Sequence, residues 1–170
     1  METDALAIAN YFVRKGLSDT SGEKLTLLRL VKYVYIAYGF SLALINRSII
    51  NDRFDKVEAW KYGPVIPSVY HSFKHFKNSP IDKETEILKQ ETLNGDLCFE
   101  TPEVDDEVVK TILDFVWERY KNISTTELIN LLHKDGTPWK FCYEEGWNAE
   151  IPCEMTKLYY DGLVKALANN

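Results

Sequence analysis

A chain of 170 residues that is 45% apolar and 27% charged can bury a substantial core, fits one domain and is too apolar for global disorder. Its net charge of −6, from 20 Lys plus Arg against 26 Asp plus Glu, comes without the basic stripe of a nucleic-acid binder. It points to protein partners, basic ones included, or simply to solubility. Cys98, Cys142 and Cys153 form neither a disulfide framework nor a zinc spacing, which favours a reducing cytosol. Glu2 and Asp4 stand where a secretion signal would be basic.

Residues 3–15 predict an amphipathic helix, with Leu6, Ala9 and Val13 on one stripe, Ala5, Ile8 and Phe12 beside it, and Gly16 as its stop. Thr26 is placed to cap the longest helix, which runs to about Ile45. Its stripe of Leu27, Val31, Val34, Tyr38 and Leu42 or Ile45 is widened by Leu28, Leu30 and Tyr35, so the helix is apolar over most of its circumference and belongs at the centre of a bundle. The uncharged run between Lys32 and Arg47 would span about 20 Å as a helix, less than the ~30 Å of a bilayer core, and reads as a buried helix. Gly39 costs about 1 kcal/mol in a helix interior, which predicts a neighbour packed closely against it.

Residues 55–70 read DKVEAWKYGPVIPSVY, and 57–62 alternate as a short strand with Glu58, Trp60 and Tyr62 on one side. Gly63 and Pro64 should stop the strand, and Pro67 should open a helix reaching about Lys77. Two large aromatics on a short, stiff strand are either core anchors or a recognition surface, and burial is the usual fate of a lone tryptophan. Residues 82–100 predict a short helix and then a small hairpin turning at Asn94-Gly95.

Thr101-Pro102 should open the next helix, with Val108, Ile112, Phe115 and Val116 buried. Ser124 and Glu127 spell a capping box for a helix through Leu132, and Thr137-Pro138-Trp139 a turn before a short aromatic segment. Pro152 should open a last helix to about Ala168, with Met155, Leu158, Tyr159 and Leu163 inward. The fold class is mainly α: a compact bundle of six to eight helices with a short strand or small hairpin, one domain over residues 1–170.

Little of this points to a reaction. His71 and His75, four apart, have the spacing of a metal pair but no third ligand. Cys142 or Cys153 with His133 would make a nucleophile pair, yet neither lies in a nucleophile signature, and a buried cysteine is the ordinary reading. His133, close before Pro138-Trp139, reads as a helix end packed under Trp139. Phosphate-binding and dinucleotide-binding glycine motifs are absent, and no cofactor or metal is expected.

The order LTLLRLVKYVYIAYGFSLAL, DKVEAWKYGPVIPSVYHSFK, LLHKDGTPWK and a terminal IPCEMTKLYY helix resembles the Panacea domain family, also called SocA-like or DUF4065, whose phage-associated members are labelled GepA. The matching positions are Leu25, Leu28, Leu30, Tyr33, Glu58, Ala59, Trp60, Tyr62, Gly63, Pro64, Val65, Pro67, Tyr70, His133, Pro138 and Trp139. Leu27 stands where many relatives have proline, and Arg29 with Val31-Lys32 departs from the usual KLQK. The resemblance implies a non-enzymatic antitoxin, in the cytoplasm of a bacterial or phage-infected cell, that neutralises a protein toxin by direct binding. The alternative it offers is an adaptor delivering a partner to a ClpXP-type protease; a small hydrolase would need a converging set of groups. It implies partner contacts from Glu58, Trp60, Lys61, Tyr62, Gly63, Pro64, Val65 and Tyr70, and structural roles for Leu28, Tyr33, Pro67, His133, Pro138 and Trp139. The relatives' extra DNA-binding domain has no room here, so nucleic-acid contact is not implied.

Overall fold

A computed structural model of the chain describes residues 4–91 and 96–169. The described residues form helices α1 (Ala5–Ser18), α2 (Leu27–Ile45), α3 (Pro67–Phe73), α4 (Glu107–Tyr120), α5 (Thr125–His133), α6 (Pro138–Cys142) and α7 (Cys153–Ala168). Five short strands accompany them: β1 (Glu58–Trp60), β2 (Gly63–Val65), β3 (Ile87–Glu91), β4 (Leu97–Glu100) and β5 (Ala149–Glu150). The chain is mainly α-helical.

As its composition predicts, α2 is the hub, touching α1, α3, α4, α5, α7 and β2. It is long and apolar enough to cross a membrane by length and composition alone, but 78% of it is buried inside the protein. Thr26 does sit at its cap position, although its side chain makes no capping bond. The start of α2 is held instead by the buried Arg29. Its Nη1 donates to the Ile123 carbonyl at 2.9 Å and to Glu23 at 3.1 Å, while its Nη2 donates to the Tyr33 hydroxyl at 2.6 Å. Farther along, the Tyr160 ring of α7 packs closely against Gly39 and meets Tyr35 and Phe40 edge-on, with ring centres 6.0 and 5.1 Å away. This is the close neighbour that a glycine in mid-helix calls for.

Several local expectations shift under long-range demands. Helix α1 runs through Gly16 to Ser18, where Asp19 ends it. There is no helix between Asp82 and Ile87; that segment is irregular, bends at Lys83 and leads into the β3/β4 hairpin. The turn expected at Asn94-Gly95 lies outside the described residues. Helix α4 begins at Glu107, later than Pro102, because Asp106 caps it by accepting from the backbone N–H groups of Val108 and Val109. Pro102 is meanwhile committed elsewhere: its carbonyl accepts from the side chain of Asn10, a fully buried residue of α1. Val108 and Phe115 are consequently exposed, and Val109 and Leu113 take the inward positions.

In α7 the fully buried residues are Thr156 and Tyr160; of the expected stripe, Tyr159 and Leu163 pack half-buried against the core and Met155 is half-buried, while Leu158 is 75% exposed. The stripe is rotated because Tyr160 must enter the gap at Gly39. The expected capping box is present: Ser124 and Glu127 bond reciprocally across the first turn of α5.

Candidate functional site

The strand expected over 57–62 is the shorter β1, which ends at Trp60; the chain turns through Lys61-Tyr62, and Gly63-Pro64 opens the returning strand β2, with Trp60 opposite Gly63 and Ala59 opposite Pro64. Proline is tolerated because β2 lies at the edge of a three-stranded sheet ordered β2, β1, β5. Gly63 has φ of +106°, a left-handed value that favours glycine. A side chain there would also press on Lys32 and His133, whose nitrogens lie 3.1 and 3.4 Å from the position of a Cβ. Pro67 then opens α3 as predicted, and the chain tightens into a 3-10 turn, Lys74–Phe76, before reaching Lys77.

Three elements clamp this corner from behind. From α2, the fully buried Lys32 donates to the Pro64 carbonyl at 2.9 Å. From α6, the Trp139 indole N–H donates to the Trp60 carbonyl at 2.7 Å. From α5, the His133 ring stacks on Trp139 at 3.6 Å with planes 4° apart, and Tyr143 covers the other indole face at 4.6 Å. Thr137 shapes the turn before α6 by donating to the Leu132 carbonyl and accepting from Lys140 N–H. The segment read as a turn and an aromatic stretch is thus a one-turn helix that places Trp139 under the strand.

The electrostatics of the clamp follow from burial. Desolvation brings the Lys32 ammonium down to about 7, so near neutral pH it exchanges between its charged and neutral forms. His133 is also held below its ordinary range, first by burial and then by the charges of Lys32 and Lys140; a backbone bond to Tyr62 opposes them. His133 Nε2 is buried without a hydrogen-bond partner in the structure.

The outer face of the corner is open. Lys61 is exposed, Tyr62 is 57% exposed, and Trp60 and Tyr70 are half-buried. Trp60 donates its indole N–H to Glu58 at 2.7 Å and meets the Tyr70 ring edge-on at 4.8 Å, so its orientation is fixed. Gly63 and Pro64 are buried and shape the corner from inside, and the buried Val65 lines the groove beside it. Leu28 is half-buried beside the corner, whereas Tyr33 is interior and bonded to Arg29. Residues of α2, β1 and α3 together border a groove of about 410 Å³.

The other chemical candidates separate. His71 lies on α3 and His75 on the 3-10 turn, both exposed, and among the described residues no three His, Cys, Asp or Glu side chains gather to hold a metal. The Cys142 sulfur lies 3.7 Å from the Met155 sulfur, and burial pushes its thiol up, away from the thiolate a nucleophile requires.

The profile of the family described as antitoxin SocA-like, Panacea domain, matches residues 30–140, which include most of α2, the corner and the His133–Trp139 clamp. The chain belongs to the Panacea family. A curated relative, named antitoxin SocA, from Caulobacter vibrioides (strain NA1000 / CB15N), is 31% identical over 136 residues, covering 80% of this chain and 68% of that protein. No solved structure matches. Within this Panacea chain the corner and its clamp hold most of the residues that carried the resemblance. The groove-lining residues that sequence reasoning passed over are Lys32, Lys74 and Lys77. The signal for the first was there to read: a lysine inside a helix apolar on nearly every side has to find a buried acceptor or lose its charge.

Proposed function

We propose that the protein is an antitoxin that neutralises a protein toxin by holding it against the outer face of the β1–β2 corner, with no bond made or broken. The observation that carries this reading is the juxtaposition of exposed or half-exposed Trp60, Lys61, Tyr62 and Tyr70 on a backbone clamped by Lys32 and Trp139. Aromatic anchors on a preorganised surface contribute most of the binding energy in protein interfaces, because they bury much area while losing little conformational freedom. Membership of the SocA-like family supports the same role.

The test is co-expression with the product of the neighbouring reading frame. The wild-type chain restores growth and leaves the partner's half-life unchanged. Tyr62→Ala with Lys61→Glu keeps its circular dichroism but loses affinity by about a hundredfold, a rough figure for two hot-spot contacts. Trp60→Ala is a poorer probe, since its ring also supports Tyr70. Full rescue by the double variant would contradict the assignment of this face, and faster turnover of the partner would replace occlusion by delivery to a protease.

A further inference from the structure

The chain as a whole is acidic, at −6, yet the groove beside the corner is basic. Lys61 at the β1–β2 turn, Lys74 and Lys77 line it with the fully buried Lys32, and among the described residues no carboxylate is in its lining, although Glu58 accepts from the Trp60 indole at its border. Lys15, Lys56, Lys89, Lys110, Lys121 and Lys157 are all ion-paired. No salt bridge among the described residues engages Lys61, Lys74 or Lys77; other lysines such as Lys24, Lys83 and Lys165 are unpaired too, but these three border one groove. The floor between these charges is apolar, built from Leu27, Leu28, Val31 and Val65 with the rings of Trp60 and Tyr70.

We propose that this groove receives an acidic segment of the partner protein, with one apolar side chain seated between Leu28, Val31, Trp60 and Tyr70 and its carboxylates over Lys61, Lys74 and Lys77. The inference rests on the antitoxin reading for the nature of the partner, and on charge complementarity for its chemistry. An apolar cleft alone would accept many side chains. The ring of lysines selects among them and steers the approach, because rim charges act chiefly on association and specificity. The groove adjoins the exposed Tyr62, so one partner segment can cover both.

The experiment titrates the isotope-labelled full-length protein with a short synthetic peptide of glutamates around one phenylalanine, followed by amide and indole chemical shifts. The expected shifts fall on the Trp60 indole and on residues 61–62 and 70–77. Lys74→Glu with Lys77→Glu weakens binding by about tenfold or more, whereas Lys165→Glu on α7, an exposed lysine away from the groove, leaves it unchanged. Absence of binding overturns the proposal, as does equal binding of the glutamine version of the peptide. Tighter binding of ATP to the same residues would also overturn it, in favour of a nucleotide site. Because the probe is synthetic, a failed titration beside intact neutralisation removes the groove and leaves the antitoxin reading standing.

Discussion

Alanine in place of Gly39 lowers stability by about 3 kcal/mol. In an ordinary helix the same change would add about 1 kcal/mol, since glycine is the costlier residue there. Here the new Cβ would lie 2.2 to 2.5 Å from three ring carbons of Tyr160, far inside van der Waals contact. The ring has no retreat, because Tyr160 is fully buried and wedged against Tyr35 and Phe40. Relief therefore requires α7 to move off α2. Urea denaturation of the variant measures the loss, and Tyr160→Leu in the same chain should recover part of it by shortening the side chain at the clash. A variant as stable as wild type would mean that the α2–α7 packing is looser than this geometry.

Stability rises with pH from neutral to about 9.5 and falls again above about 10. The rise comes from Lys32. Unfolded, it keeps its proton to about 10.5, whereas in the fold burial makes it release the proton near 7. Between those values the unfolded chain binds more protons, so each pH unit adds up to about 1.4 kcal/mol to folding. That contribution is complete above the unfolded value and is lost as pH falls toward 7. The decline at high pH comes from Tyr33, Tyr35, Tyr38 and Tyr160, all pushed up by burial, whose unfolded counterparts ionise first. His133, pushed down by burial and by Lys32, adds a further loss below its ordinary value of 6.5, where the unfolded chain takes a proton the fold resists. Denaturation across this range, repeated on Lys32→Met, checks the assignment: the variant should lose the climb and keep the decline. A wild-type curve flat from pH 7 to 9.5 would place a charged lysine in the core.

What was legible in the sequence was local. The apolar circumference of α2, the Ser124–Glu127 capping box, Pro67 at a helix start and the glycine that admits Tyr160 are each governed by nearby residues or by one demanding contact. What was not legible depended on distant partners. Pro102 looks like a helix start until Asn10, ninety-two positions away, takes its carbonyl. Gly63-Pro64 looks like the end of a strand until the edge position of β2 makes a proline acceptable there. The net charge pointed to basic partners among others, because Lys61, Lys74 and Lys77 are dispersed in the sequence and only the packing of α3 against α2 brings them to one groove. Trp60 resisted a choice between core and surface because it is half of each, with its backbone carbonyl held by Trp139 and its ring beside the groove.

Amide hydrogen exchange on the complex with the neighbouring-frame partner tests the central claim most directly, since it reports which backbone becomes shielded without altering a residue. Protection should concentrate on residues 60–65 and 70–77. Protection confined instead to the apolar hollow bordered by Leu44, Phe115 and Leu167, with the corner exchanging as it does alone, would contradict the account.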